Sequence, residues 1–286
     1  MSSSCVLCGG ARQRPLKSLT EQSRPPFAGE IVQCADCGLA WLSPLPTEDE
    51  LLQFYSGDAY LESFAGAGVS MVAEEPETIA YLESRLASLE HQLGKPGKIL
   101  DVGASTGSFL ALARQRGWTI EGIELGDTGV ELARRRHNIA VYHCAIENAP
   151  FIDATFDVVH ASHVLEHVRD PHPFLTHVRR LLRPGGVAVM EVPSELGDVF
   201  TWFQTRVLRR RPEPYRVPSP HLYFFTPRTL KKLFNNHGFE VTRLETPRRN
   251  KSSDSRIPIG ALVKRGLYRI ESGLRQGPLI EIYARK

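Results

Sequence analysis

The sequence predicts an α/β protein: a doubly wound, mostly parallel sheet with helices on both faces, preceded by a small cysteine-bearing segment. Three observations predict it. From residue 98 onward, short apolar runs alternate with stretches of helical periodicity, the pattern of a parallel sheet covered on both faces. A loop of small residues, Gly103-Ala-Ser-Thr-Gly107, stands directly after the first apolar run, where such sheets bind ligands. Four of the five cysteines fall into two Cys-x-x-Cys pairs within the first 37 residues.

Composition agrees with this. The chain has 286 residues, 42% apolar and 23% charged, which suits one large domain with a small appendage. No run reaches the roughly 18 apolar residues that a membrane helix needs. The start, Met1-Ser-Ser-Ser-Cys5, lacks the basic and apolar regions of a secretory signal, and five cysteines are too few for a disulfide scaffold. A cytoplasmic location is therefore expected. The formal net charge of +3 hides an asymmetry: residues 1–205 carry 16 Lys and Arg against 26 Asp and Glu, and residues 206–286 carry 19 against 6. A basic third can face an acidic ligand such as a phosphate, a nucleic acid or an anionic membrane surface; it can equally be a solvated face paired with the acidic half.

Taken in order, residues 1–45 read as a ribbon. Each of Cys5-Val-Leu-Cys8 and Cys34-Ala-Asp-Cys37 puts two thiolates on one tight turn, and two such turns make the tetrahedral sulfur shell that zinc prefers. With all four positions filled by protein, the expected zinc is structural. Cys144 is left over and reads as a small buried hydrophobe. Residues 46–94 read as a linker and helical lead-in, with Ile79, Leu82, Leu86, Leu89 and Leu93 at helical spacing before Gly94 and Pro96. Strands are expected at Lys98–Val102, Trp118–Glu124, Ile139–His143, Phe156–Ala161 and Gly186–Val192. Helices are expected from Ser108, at Gly129–His137, at Pro173–Leu182 and from Thr226-Pro227.

Chemistry should gather at the loop after the first strand. Gly103 and Gly107 allow close backbone approach, and Asp101 ends the strand. That acid would repel a pyrophosphate and suits a ligand carrying an ammonium group. Glu124 ends the second strand, where a carboxylate accepts ribose hydroxyls. One acid for an amino-acid end and one for a ribose describe S-adenosylmethionine better than a dinucleotide.

These motifs resemble the class I S-adenosylmethionine-dependent methyltransferases. The residues that carry the resemblance are Ile99-Leu-Asp-Val-Gly-Ala-Ser-Thr-Gly107, Glu121-Gly-Ile-Glu-Leu125, Ala149-Pro-Phe-Ile-Asp-Ala-Thr-Phe-Asp157 and Leu181-Leu-Arg-Pro-Gly-Gly186. His163-Val-Leu-Glu-His167 and His221-Leu-Tyr-Phe-Phe-Thr226 are similar to a small-molecule branch in which a cysteine-rich ribbon often precedes the catalytic domain. The resemblance implies a Rossmann-like sheet of seven strands whose last strand, Pro278–Arg285, is antiparallel, with residues 95–286 forming the methyltransferase domain. It implies cofactor contacts at Asp101, Gly103, Ala104, Ser105, Gly107, Glu124, Leu125, Ala145, Ile146 and Ala161. Many relatives carry an acid where Ala145 stands and a glycine where Ser105 stands.

The expected catalytic residues are His163, His167 and His221. His163 and His167, four apart, are expected on one helix face with Glu166. This pattern also matches an inverted zinc-protease motif and resembles the Glu-x-x-Glu-His metal site of some quinone O-methyltransferases. An insertion at 195–225 mixes Phe200, Trp202, Phe203 and Tyr215 with Arg206, Arg209, Arg210, Arg211 and Arg216, suiting a lid over an anionic acceptor or a peripheral membrane contact. Arg243–Arg256 reads as a solvated loop and Ile259–Leu274 as a helix. The function expected is methyl transfer to a small molecule such as a sugar, nucleotide-sugar or polyketide. Its rivals are an rRNA base methyltransferase that grips RNA with the ribbon and basic third, and a non-catalytic module that kept the fold as a partner surface.

Overall fold

The computed structural model describes residues 4–23, 25–56, 76–196, 220–247 and 277–286. Two tight turns organise the amino-terminal part. In the first, Gly9 N–H bonds Cys5 O at 2.8 Å and Cys5 N–H bonds Gly10 O at 2.9 Å; in the second, Gly38 N–H bonds Cys34 O at 3.0 Å. Gly9 (φ +70°) and Gly38 (φ +85°) sit in the left-handed region, which glycine enters without a Cβ clash. Between and after these turns lie β1 (Gln13–Pro15), α1 (Lys17–Ser23), β2 (Glu30–Cys34) and β3 (Ala40–Ser43), the strands antiparallel. α2 (Glu48–Ser56) follows, started by Thr47 and Glu50, each of which bonds the other's backbone N–H.

α3 (Pro76–Leu93) leads into the alternating half. There β4 (Lys98–Val102), α4 (Ser108–Gln115), β5 (Thr119–Glu124), α5 (Asp127–His137), β6 (Tyr142–His143), β7 (Phe156–Ser162), α6 (Pro171–Leu181) and β8 (Leu182–Pro193) follow one another. β9 (Tyr223–Phe224), α7 (Pro227–Asn236), β10 (Glu240–Glu245) and β11 (Leu279–Arg285) complete the described elements. The main sheet has seven strands in the order β10-β11-β8-β7-β4-β5-β6. Pairs β8–β7, β7–β4, β4–β5 and β5–β6 are parallel, and β11 runs antiparallel to both its neighbours. The expected fold, with its antiparallel last strand, is present.

Runs such as Val158-Val-His-Ala161 and Val187-Ala-Val-Met190 are wholly buried because helices cover both sheet faces. One continuous core joins the two parts: Leu39, Trp41 and Leu42 of the cysteine segment share it with Phe174, Val178, Tyr223 and Phe225. The chain leaves β4 toward β5 on one side and reaches β7 on the other. The carboxyl end of β4 is thus the switch point where ligands bind.

Four local expectations need correction. Of Ile139–His143 only Tyr142–His143 pairs as strand, because Ile139 is spent packing on Ala104, Leu110 and Ala111. Residues 243–245 belong to β10 rather than to a solvated loop: Arg243 stacks over the Tyr283 ring at 3.6 Å, and its neighbours pair with β11. The His163–His167 segment is a turn, not a helix. His163 takes φ +56°, and Glu166 O accepts N–H bonds from Leu222 and Tyr223, so it is not committed to a helical ladder. Finally, Tyr223 and Phe224, expected within a lid, form a fourth strand on the amino-terminal sheet, pairing with Trp41 and Ala40. The aromatic and arginine positions at 200–216 and the helix expected at 259–274 lie outside the described residues.

Candidate active site

The loop after β4 is shaped by three residues in the left-handed region: Gly103 (φ +74°), Ser105 (φ +47°) and Gly107 (φ +78°). A Cβ on Gly103 would stand 2.6 Å from Val164 Cγ2, so the loop packs directly on the turn carrying His163, Glu166 and His167. Gly103 and Ala104 donate their N–H groups to Ile123 O at 2.9 and 3.0 Å, tying the loop to β5. Glu124 at the end of β5 accepts from Ser105 N–H at 2.7 Å and Gly126 N–H at 2.8 Å. Burial pushes its carboxyl above the usual range, and these N–H bonds pull the other way. Leu125 is half exposed, Ala145 is extended ahead of a 3-10 turn with buried Ile146, and buried Ala161 lies beside Val102 across β7 and β4. The expected cofactor residues therefore gather at the carboxyl ends of adjacent strands.

Asp101 has an internal partner that sequence reasoning missed. It is 3% exposed and bonds His160 Nδ1 at 2.6 Å, its register neighbour on β7. Arg85 Nη1 stands 2.7 Å from His160 Nε2. A guanidinium can only donate, so Nε2 accepts, Nδ1 carries the proton, and His160 is a neutral donor to Asp101. Arg85 itself, 2% exposed, bridges Glu191 at 2.7 Å and Glu281 at 3.2 Å. Tyr81 OH bonds both carboxylates. The signal was present: Arg85 stands among Leu82, Leu86 and Leu89 on the apolar face of α3.

Around the turn after β7 the three expected histidines share one cluster with Glu166. His163 Nδ1 meets Glu166 Oε1 at 3.1 Å and His163 Nε2 meets Glu191 Oε1 at 3.5 Å. With a carboxylate at each nitrogen, and burial working the other way, its pKa is raised; the side chain is 41% exposed, so water screens part of the attraction. His167 Nδ1 donates to Pro220 O at 3.3 Å, leaving Nε2 as the free lone pair. Burial holds its pKa down at about 4. His221 Nδ1 meets Glu195 Oε1 at 3.1 Å, and despite burial that carboxylate raises the His221 pKa. Ligating atoms of Glu166, His167 and His221 lie within 4.8 Å of one another. Glu166 is fully buried, and among the described residues its Oε2 has no hydrogen-bond partner.

The four cysteines also converge, with all sulfurs within 4.8 Å and the pairs Cys5–Cys37 and Cys8–Cys34 at 3.5 Å. Thiolates bound at about 2.3 Å around one tetrahedral zinc stand at comparable separations, so the donor set fits the ion. Burial pushes the Cys5 thiol up. Burial acts the same way on Cys34, but N–H groups at Cys37 and Asp36 overcome it and bring that thiol to about 7. Cys144 is partly buried against the main core.

Comparison with known proteins bears on the family and the fold. A family model described as a methyltransferase domain matches residues 77–244. The O-methyltransferase rstn1 of Aspergillus nomiae is 28% identical over 217 residues, covering 70% of this chain and 93% of that one. The ubiquinone biosynthesis O-methyltransferase of Pseudomonas paraeruginosa is 33% identical over 109 residues, 36% of this chain and 47% of that enzyme; here the alignment spans just under half of the relative. Among solved structures, the 1,6-didemethyltoxoflavin-N1-methyltransferase of Burkholderia thailandensis, with S-adenosylhomocysteine bound, aligns at a TM-score of 0.55. It is 19% identical and covers 88% of this chain and 97% of that one, a likeness of fold.

Proposed function

The chain belongs to the methyltransferase-domain family and is an S-adenosylmethionine-dependent methyltransferase; from that premise we propose that it methylates a small-molecule acceptor bound against Glu166, His167 and His221. The observation that carries this reading is the contact between the Gly103 loop and Val164. Val164 belongs to the turn that carries His163, Glu166 and His167, so this contact supports a cofactor site close to the histidine cluster. In-line displacement needs such proximity.

When bound, the cofactor supplies the electrophilic methyl group and the thioether leaving group. Gly103, Ala104, Ser105 and Gly107 would supply the close-approach loop, Leu125, Ala145, Ile146 and Ala161 would line the rest of the cofactor site, and Glu124 would accept from the ribose hydroxyls. Asp101, oriented by the His160 Nδ1–H, would serve the amino-acid end. At the acceptor, His221 is the general base: Glu195 fixes its Nδ1–H, leaving Nε2 to take the acceptor proton. His167 stays neutral and accepts a second hydrogen bond. His163, held as an imidazolium between Glu166 and Glu191, fixes the Glu166 carboxylate and does not itself accept a proton. The cysteine cluster holds structural zinc.

A second reading is favoured by one atom. Glu166, whose Oε2 has no hydrogen-bond partner among the described residues, makes with His167 and His221 a two-histidine, one-carboxylate donor set suited to a divalent ion. In that case Glu166, His167 and His221 would hold the ion, which would supply Lewis acidity at the acceptor, and His221 would be a ligand rather than the base.

The test is transfer of labelled methyl from S-adenosylmethionine into the small-molecule and RNA fractions of a host extract, with and without EDTA. Label in small molecules that persists with EDTA supports the base reading; loss with EDTA while metal analysis finds the cysteine-bound zinc retained, restored by magnesium or manganese, supports the second. Label in RNA alone overturns the small-molecule proposal and supports the nucleic-acid alternative.

A further inference from the structure

The residues beside His221 are gripped from two directions. Leu222 donates its N–H to Glu166 O at 2.8 Å and accepts at its own carbonyl from Leu42 N–H at 2.9 Å. Tyr223 and Phe224 then pair with Trp41 and Ala40 as the outer strand of the amino-terminal sheet. Ala40 is only three residues from Cys37, and Cys34 ends the neighbouring strand β2.

Further ties run the same way. Arg169 Nε donates to Pro46 O at 2.9 Å, and Tyr223 OH donates to Arg169 O at 2.9 Å. The Tyr55 ring of α2 meets His167 edge-on at 6.2 Å. On the other cysteine turn, His172 Nε2 donates to Val6 O at 2.7 Å. The cofactor face is held differently: Asp101 is bonded by His160 of β7, and Glu124 accepts N–H bonds from Ser105 of the loop and from Gly126.

We propose that the cysteine segment is the rear wall of the acceptor site: closure of its four thiolates on one metal ion sets where His221 stands relative to Glu166 and His167, and leaves the cofactor face alone. This rests on the reading of Glu166, His167 and His221 as the acceptor cluster. Without the ion, the two cysteine turns lose their common anchor. The β3–β9 pairing is short, with two residues of β9 in register, so its backbone bonds depend on β3 keeping its place. Local opening of such an edge is expected to leave the rest of the fold in place.

The test uses the full chain with labelled histidine and backbone amides, loaded with zinc, stripped with a mercurial and chelator, then reloaded. Three quantities are read: the His221 ring resonances, hydrogen exchange at the Leu222 and Tyr223 amides, and S-adenosylhomocysteine affinity by calorimetry. Stripping is expected to move the His221 signals and speed exchange at both amides by about tenfold. Affinity should stay within about twofold, and reloading should reverse the changes. An Arg169→Met variant, which cuts a tie to the segment without touching a thiolate, should move the His221 signals with its zinc content intact. Unchanged His221 signals and amide exchange on stripping would make the segment a passenger and overturn the proposal. Affinity falling in step with the other changes would also overturn it, because the ion would then support the whole fold. None of these readouts needs turnover, so they stand apart from the acceptor reading, which fails if His221→Ala still transfers label at the native rate.

Discussion

Single residues in this molecule are constrained most tightly where backbone conformation and contact coincide. Gly103 combines φ +74° with a neighbour 2.6 Å from any added Cβ. An alanine there meets the left-handed cost of about 1–2 kcal/mol and pushes on Val164. Gly103→Ala is expected to weaken S-adenosylhomocysteine binding by about tenfold or more, measured by calorimetry; native affinity would remove the loop from the cofactor site. Arg85 is constrained by charge instead. It stands between two buried carboxylates, and removing one partner of a buried ion pair costs about 3–5 kcal/mol. Arg85→Met should lower unfolding stability by that amount in a urea titration, and Arg85→Lys should recover part of it.

At the scale of elements, short-range chemistry sets starts and stops. α7 begins at Pro227 behind a reciprocal cap in which Thr226 Oγ1 accepts Thr229 N–H and Thr229 Oγ1 accepts Thr226 N–H. Its buried face, Leu230, Leu233 and Phe234, lies over the sheet. Thr226→Ala should cost about 1 kcal/mol, seen as a lower urea midpoint with unchanged slope. Because His221 lies only five residues before this cap, a larger loss would mean that the cap also holds β9 in place. α6 starts at Pro171 under an Asp170 cap, two residues ahead of the apolar pattern, because the cap and proline rather than the first apolar residue define the first turn.

For the molecule as a whole, the histidine cluster shapes stability against pH with two opposing limbs. An unfolded histidine titrates near 6.5. His163 is raised in the fold by its two carboxylates, so its stabilisation is complete below about pH 6.5 and fades as pH rises through the raised value. His167 is held down at about 4. The unfolded chain therefore binds more protons between about 6.5 and 4, and stability falls as pH drops through that window. Together they predict a maximum near pH 6.5, testable by urea midpoints at acid, neutral and alkaline pH under constant ionic strength. His163→Gln should flatten the alkaline limb and His167→Gln the acid limb; a profile unchanged by either would show that the cluster does not titrate with folding.

The sequence by itself determined what local pattern can encode. Alternating apolar runs and helical stripes specified the sheet and its covering helices, since burial on one or both faces leaves a period in the chain. The two Cys-x-x-Cys turns announced a metal-sized sulfur cluster, and the glycines after β4 with the acids near the ends of β4 and β5 marked the switch point of the sheet. Tertiary structure alone decided the partners. Asp101 meets His160 because strands β4 and β7, 59 residues apart, share a register. Arg85 reaches Glu281 across 196 residues, and the residues after His221 bond both Glu166 and the amino-terminal strand β3. The physical reason is that periodicity records which face of an element is buried. It says nothing of what will be packed there, and that is fixed only when strand order and register bring distant side chains together.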